Sequence, residues 1–308
     1  MSSWRGEVAA AVRGEATADA PLAPRTAIRI GGPADLLVRP AGPGDLVALL
    51  AACRRLGVPW LVLGGGANLL VADRGVRGVV VKLPADLGAE EARGDRLVLS
   101  GGAPSSRLVS RAQAAGLVGC EFAAGIPGTL GGLAAMNAGT RTGEMKDVLA
   151  RAEVATADGL GFVEARDLGF GYRTSRLPGL GVCTRIEVAL RPGDVAAARE
   201  AMRADLDHRR ATQPLTEPTF GSTFTNPAGD FAGRLIEAAG LKGRAAGGAM
   251  WSTVHANFVV NRGGATARDV LSLLNLARAR VMELFGVRLE PEVRLAGEFL
   301  EDERIEPL

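Results

Sequence analysis

Fifteen consecutive residues, Gly125 to Gly139, constrain this chain more than any others: G-I-P-G-T-L-G-G-L-A-A-M-N-A-G. Five glycines, one proline and five side chains no bulkier than Thr or Asn leave the main chain almost bare there. Such a stretch loses much chain entropy on folding, and in return its N–H groups can come close to a ligand or to another backbone segment. Two readings follow from the residues alone. One is a cofactor-binding surface; the other is a tight turn feeding a small-residue helix packed on a sheet. The stretch by itself does not separate them.

A second glycine-rich run, Gly64-Gly65-Gly66-Ala67-Asn68-Leu69-Leu70, follows a short apolar segment, Trp60 to Leu63, that reads as a buried strand. Ahead of it lie a turn at Gly31-Gly32-Pro33, a strand at Leu36 to Arg39 and an amphipathic helix from Gly42 to Gly57, with Leu46, Leu49, Leu50, Cys53 and Leu56 at helical spacing. Strand, helix, strand, glycine loop is an order typical of nucleotide-binding α/β units. The Rossmann fingerprint is excluded, because its third glycine would fall at Leu69. The phosphate loop of nucleotide hydrolases is excluded too, because no glycine run is followed by Lys and a hydroxyl residue. The run can still hold a pyrophosphate on main-chain N–H groups, and a structural turn fits it equally well.

Further along, the pattern predicts strands at Val79 to Leu83, Arg96 to Ser100 and Cys183 to Leu190, helices at Ser105 to Ala115 and Asp194 to Arg210, and a hairpin turning at Asp158-Gly159. Breaks at Gln213-Pro214 and Glu217-Pro218 introduce the last part. It predicts a helix at Phe231 to Ala239, a strand at His255 to Asn261, a helix from Thr266 to Phe285 closed by Gly286, and a final strand at Leu289 to Leu295.

At 308 residues, 47% hydrophobic and 23% charged, the sequence has room for more than one core. A net charge of +2, with the basic residues scattered, argues against a nucleic-acid or membrane-surface protein. Cys53, Cys120 and Cys183 match no metal spacing, and His208 and His255 are the only imidazoles, so no metal centre is expected. Three scattered thiols, no apolar leader at the N-terminus and no long apolar run lead to the expectation of a cytoplasmic protein, taken as a monomer.

Seven segments then occur in one order between Thr26 and Leu295: T-A-I-R-I-G-G-P-A-D, L-G-G-G-A-N-L-L-V, the Gly125 to Gly139 stretch, G-Y-R-T-S, G-S-T-F-T-N-P, H-A-N-F-V-V-N and L-E-P-E-V-R-L. In these segments the chain resembles the UDP-N-acetylenolpyruvoylglucosamine reductase (MurB) family, flavoenzymes of peptidoglycan precursor synthesis. The resemblance implies an α+β fold: a two-lobed FAD-binding domain of the vanillyl-alcohol-oxidase (PCMH) type and a smaller C-terminal α/β substrate-binding domain. The lobes would be residues 1–82 and 83–205 and the substrate domain 206–291, with 292–308 returning to the FAD-binding region.

Residue roles come with the resemblance. FAD would be held by Gly64, Gly65, Gly66, Ala67, Asn68 and Leu69, by Ile126, Pro127, Gly128, Thr129 and Gly132, and by Arg210. NADPH would serve as reductant and leave before the UDP-sugar enters. Arg173 would hold the carboxylate of an enolate, Ser222 would protonate C2, and Glu292 would assist as a polarising or general-acid group. Tyr172, Arg173, Asn226, Lys242 and His255 would contact the substrate. There are departures from the family pattern: Thr225 stands where Lys or Arg is common, Thr253-Val254 replaces a Glu-Lys pair, and Thr140-Arg141-Thr142 replaces Ala-Tyr-Gly. Tyr172 is the sole tyrosine, so the short family form, without a substrate-clamping tyrosine loop, is expected. Two other uses of the same scaffold are a flavin oxidase of small alcohols or aromatics and a non-catalytic flavin module. The Arg173, Ser222 and Glu292 set argues against both.

Overall fold

A computed structural model describes residues 3 to 306. The chain forms two compact units: one takes the chain up to Ala18, Leu36–Gly65 and Gly78–Asp207, and the other takes Asp19–Asp35, Gly66–Arg77 and the chain from His208 onward. Among the described residues no helix is long and apolar enough to cross a membrane.

In the first unit an antiparallel sheet runs in the order Gly159–Glu164, Leu149–Thr156, Val182–Ala189, Arg96–Ser100, Glu91–Arg93. The hairpin turns at Asp158-Gly159 as its sequence predicts, with Gly159 at φ 143°. Leu97, Leu99, Ile186 and Val188 from this sheet pack with Leu108, Phe122, Leu130 and Leu133 into one core. A second core joins Leu36, Val38, Val79 and Val81 to Leu46, Leu49, Leu50 and Cys53 of the helix Pro43–Leu56. Each such side chain contributes roughly 1.5–3 kcal/mol by leaving water. The helix starts on Pro43, whose missing N–H costs nothing there, and ends at Gly57 in the left-handed region, φ 64°. The Asp45 carboxylate accepts main-chain N–H groups from Arg13 (2.7 Å), Ala41 (2.8 Å) and Gly14 (3.0 Å). Burial pushes its pKa up, but these donors outweigh that and hold it below the usual carboxylate value.

The second unit is built on a four-stranded sheet in the order Thr219–Ser222, Phe258–Asn261, Ala249–Trp251, Ala245–Ala246. The helix Ala267–Phe285 buries Val270, Leu271, Leu274, Ala277 and Val281 at helical spacing against Trp251, Phe224, Val259 and Ile28. Three side chains fix its start. Thr266 and Asp269 form a reciprocal capping box, and the Asp73 carboxylate accepts the N–H groups of Ala267 (2.9 Å) and Arg268 (3.2 Å).

Two expected strands are shorter than the sequence pattern suggests. His255 to Asn257 form a turn, closed by Phe258 N–H on the His255 carbonyl (3.1 Å), and the strand begins only at Phe258. The last segment pairs regularly only at Arg294–Ala296, in parallel with Leu69–Val71. Ahead of it the chain turns to a different partner: Pro291 makes an isolated antiparallel bridge with Phe224, at a position where no N–H is called for. The strand Glu15–Pro21 was not expected: its alternating apolar residues are only alanines, and all of it but Ala20 is exposed.

Candidate active site

The two glycine-rich loops meet within the first unit. A Cβ on Gly65 would lie 2.5 Å from the Cα of Gly128, and one on Gly64 would lie 2.9 Å from the Oγ1 of Thr129. Backbone rests on backbone, which only glycine allows. The carbonyls at this contact are turned inward: Gly64 accepts from the Lys82 ammonium, Gly128 from Ser105 N–H (3.0 Å), and Ile126 from the Ser105 hydroxyl (2.5 Å). The N–H groups of Gly64, Gly65, Gly128, Thr129 and Gly132 donate to no acceptor among the described residues. In the second unit the N–H groups of Gly66 and Ala67 are likewise without an acceptor, while the Gly66 carbonyl accepts from Ala27 (2.9 Å). Within the first unit, the engaged carbonyls and the N–H groups without an acceptor form a nest for an anion such as a pyrophosphate. These residues fit FAD.

Gly125 to Gly139 divides into two structurally different halves. Residues 126–129 supply the open loop, while Leu130–Ala135 is a short helix burying Leu130, Leu133 and Ala134. A Cβ on Gly131 would stand 3.1 Å from the Gly101 carbonyl oxygen, so the helix packs on the sheet at the closest approach.

Arg173 sits on a four-residue turn closed by paired main-chain hydrogen bonds between Gly171 and Thr174, 3.0 and 3.3 Å. Its φ is 56°, in the left-handed region at the turn position that glycine usually fills. A Cβ-bearing residue pays about 1–2 kcal/mol to stay there. The guanidinium donates to the Gly139 carbonyl (2.8 Å) and lies 5.0 Å from the centroid of the Tyr172 ring. Tyr172 itself is exposed. Beneath the turn, buried Asn137 donates to the Gly171 carbonyl (3.0 Å).

In the second unit the chain from Ser222 runs beside the chain through Glu292. Glu292 N–H donates to the Thr223 carbonyl (2.8 Å), and Thr225 N–H donates to the Glu290 carbonyl (2.9 Å). On its other side Glu292 is held by the first glycine loop: the Asn68 amide donates to the Glu292 carbonyl (3.0 Å), and Arg294 N–H donates to the Asn68 carbonyl (3.1 Å). Ser222 and Glu292 are both half-buried. Buried Asn257 fixes the strand just past Ser222, accepting from Phe224 N–H (3.0 Å) and donating to the Phe224 carbonyl (2.8 Å).

His255 lies under helix Ala232–Ala238, where a Cβ on Gly233 would be 3.0 Å from its Cε1. Its Nδ1 accepts Asn257 N–H (3.2 Å), which leaves Nε2 as the donor. Burial, then the Lys242 ammonium, hold its pKa below the usual 6.5. Lys242 pairs with Glu237 at 2.9 Å. Asn226 gives its carbonyl oxygen to Ala232 N–H (3.1 Å), in the first turn of that helix, so part of its side chain is structural. Arg210 is exposed on the helix Val195–Thr212. The set therefore falls into three groups, Arg173 and Tyr172 with the second glycine loop in the first unit, Ser222 and Glu292 with Asn68 in the second, and Asn226, Lys242 and His255 around the helix Ala232–Ala238 in the second, while Arg210 stands on a different helix. Lys82, Asn137 and Asn257 escaped the sequence reading. Lys82 carried a signal, as one of three lysines among 36 basic residues.

An FAD binding domain profile matches residues 34–161, and the profile of the UDP-N-acetylenolpyruvoylglucosamine reductase C-terminal domain matches residues 213–296. A UDP-N-acetylenolpyruvoylglucosamine reductase of Anaeromyxobacter sp. (strain Fw109-5) is 67% identical over 97% of this chain and 94% of its own. The chain belongs to the UDP-N-acetylenolpyruvoylglucosamine reductase family. A further reductase, from Myxococcus xanthus, is 55% identical over 93% of this chain and 94% of its own. The crystal structure of the Thermus caldophilus reductase superposes with a TM-score of 0.79 at 38% identity, covering 92% of this chain and 99% of that one. As a member of the reductase family the protein is an FAD-dependent oxidoreductase, with an α+β fold that joins a PCMH-type FAD-binding domain to the reductase C-terminal domain.

Proposed function

We propose that the protein reduces the enolpyruvyl ether of UDP-N-acetylglucosamine enolpyruvate to UDP-N-acetylmuramate, a step in peptidoglycan precursor synthesis, with NADPH as electron source. The observation that carries the reading is the position of the Glu292 segment, hydrogen-bonded to the Ser222 segment on one side and to Asn68 of the first glycine loop on the other. The N–H groups of the two glycine loops, with Arg210 as cationic partner, would hold FAD, which would supply the hydride that C3 of the substrate takes up. Negative charge then collects on C2 and on the carboxylate of the resulting enolate. Arg173 meets that carboxylate with a planar fork of N–H donors, and its strained turn keeps the fork from wandering. Ser222 gives its hydroxyl proton to C2. A hydroxyl is a weak acid, so the proton moves only to a base as strong as this carbanion. Glu292 polarises that transfer or returns a proton. Hydride at C3 and proton at C2 together turn the double bond into the saturated ether.

Tyr172, Asn226, Lys242 and His255 bind the sugar nucleotide in this reading. The lobes 1–82 and 83–205 hold the cofactor, 206–291 the UDP-sugar, and 292–308 bring Glu292 back to the cofactor. The enzyme works in the cytoplasm as a monomer, in keeping with three free cysteines. Burial pushes their thiols up to about 11 at Cys53 and about 12 at Cys120 and Cys183, so they stay unreactive.

The test uses purified protein. It should be yellow with bound flavin, bleach with NADPH, and regain colour when mixed anaerobically with the enolpyruvyl sugar nucleotide. Ser222→Ala should bleach normally and regain colour about 10²–10⁴-fold more slowly. Absence of flavin, or no recolouring by the sugar nucleotide in wild type, sinks the function; equal recolouring in Ser222→Ala removes Ser222 as proton donor.

A further inference from the structure

Asn137, the thirteenth residue of the glycine-rich stretch, has no exposed surface. Its side-chain amide has three partners: it donates to the Gly171 carbonyl (3.0 Å) and to Glu144 Oε2 (3.0 Å), and its oxygen accepts from Lys146 N–H (2.9 Å). Gly171 opens the turn that carries Arg173 in its left-handed conformation. Two other hydrogen bonds tie this turn to the same stretch: Arg173 to the Gly139 carbonyl (2.8 Å) and the Ser175 hydroxyl to the Ala135 carbonyl (2.9 Å). Residues 135, 137 and 139 thus bind 175, 171 and 173. In the outer two contacts the stretch offers only carbonyls. Asn137 alone offers a side chain, so it is the one tie that substitution removes without touching Arg173 or Ser175.

We propose that Asn137 is a positioning residue for the oxidative half of the reaction: it pins the Gly171 to Thr174 turn to the cofactor-binding stretch and so sets where the Arg173 guanidinium stands. The chemistry selects Asn at this position twice over. Its own φ is 43°, which asparagine tolerates better than other Cβ-bearing residues. Both of its amide protons are in use, so Asp would lose two donations and set a carboxylate against the Gly171 carbonyl and the Glu144 carboxylate. Asn137 acts through Arg173, so the inference rests on the reading of Arg173 as the group that receives the enolate carboxylate. Flavin reduction by NADPH makes no enolate and needs no such group.

The experiment compares Asn137→Gly, which accepts the same φ, Asn137→Asp, Arg173→Ala and the Asn137→Gly/Arg173→Ala double variant, with flavin content and both half-reactions measured by rapid mixing. Asn137→Gly and Asn137→Asp should keep wild-type flavin content and bleach with NADPH within about 2-fold of wild type, while recolouring by the sugar nucleotide slows about 10–100-fold. In the double variant recolouring should match Arg173→Ala alone, because the pin has nothing left to position. Equal slowing of both half-reactions, loss of flavin in both Asn137 variants, or multiplication of the two effects in the double variant overturns the inference: Asn137 then supports the fold or the cofactor, not Arg173. Slow recolouring in Arg173→Ala with normal recolouring in Asn137→Gly also overturns it, and leaves the proposed function standing. Normal recolouring in Arg173→Ala instead removes the role of Arg173 itself.

Discussion

Asn68 donates its side-chain N–H to the main-chain carbonyl of Glu292 across 3.0 Å, joining residues 224 positions apart. One residue therefore belongs to the first glycine loop by its backbone and to the Glu292 segment by its side chain. Asn68→Ala should cost about 1 kcal/mol of stability, the net worth of one such bond. It should also slow recolouring by the sugar nucleotide several-fold more than it slows bleaching by NADPH. Equal effects on the two half-reactions would separate Glu292 from the anchoring that Asn68 provides.

Gly65 tests the cofactor nest. A methyl group there meets the Gly128 Cα at 2.5 Å, and neither backbone can yield without moving its loop. Gly65→Ala is expected to destabilise by about 1–3 kcal/mol and to lower flavin affinity at least tenfold. Gly44, inside the helix Pro43–Leu56, provides the contrast, since a methyl group added there would meet no atom within 4 Å. Gly44→Ala should raise stability by about 0.5–1 kcal/mol and leave flavin binding alone. Thermal melts and the ratio of flavin to protein absorbance read both.

What could be read from the sequence was whatever is encoded locally. The glycine loops, the Thr266 and Gly286 helix ends and the Asp158-Gly159 hairpin each follow from a few adjacent residues, and all appear where expected. Ser222 and Glu292 were legible only through motif order, since an isolated Ser or Glu has no chemical signature. The ties that hold these parts together were not legible. Lys82 to Gly64, Asn137 to Gly171 and Asn257 to Phe224 join residues 18, 34 and 33 positions apart, and nothing near any of them in the chain announces its partner. The last strand was misjudged because its residues divide between two partners, Pro291 bridging Phe224 and Arg294–Ala296 pairing with Leu69–Val71.

The φ of 56° at Arg173 separates stability from activity. Arg173→Gly removes the left-handed strain of about 1–2 kcal/mol, and the extra freedom of glycine in the unfolded chain takes back about 0.5–1 kcal/mol. The variant loses the same Gly139 hydrogen bond as Arg173→Ala, which keeps the strain, so it should be at least as stable as Arg173→Ala and recolour as slowly. Urea unfolding of the three proteins decides it: an Arg173→Gly protein clearly less stable than Arg173→Ala would mean that the turn is not strained.

His255 gives the pH dependence a sign. Burial, then Lys242, hold its folded pKa below 6.5, with Glu237 opposing. The unfolded chain therefore binds a proton at higher pH than the folded one, and stability rises with pH wherever it does so. The contribution from His255 is fully present above about pH 6.5 and fades as the pH falls from there toward the folded value. His255→Gln should lose this slope, so the difference in melting temperature between wild type and variant should shrink as the pH drops from 8 to 5. A difference that widens toward acid would reverse the sign of the shift.

Thr223, next to Ser222, has no exposed surface, and its hydroxyl has no hydrogen-bond partner. Its main chain is fully engaged, accepting from Glu292 and donating to the Asn257 carbonyl (2.8 Å), so the position is fixed and the hydroxyl is simply desolvated. A buried hydroxyl without a partner costs about 1–3 kcal/mol. Valine has the same shape and nothing to desolvate. Thr223→Val should therefore stabilise the protein by about 1 kcal/mol, seen as a higher urea midpoint at unchanged slope. Because the hydroxyl makes no hydrogen bond, both half-reactions should proceed at wild-type rates. Slower recolouring with normal bleaching would mean that the Thr223 hydroxyl takes part in proton delivery beside Ser222.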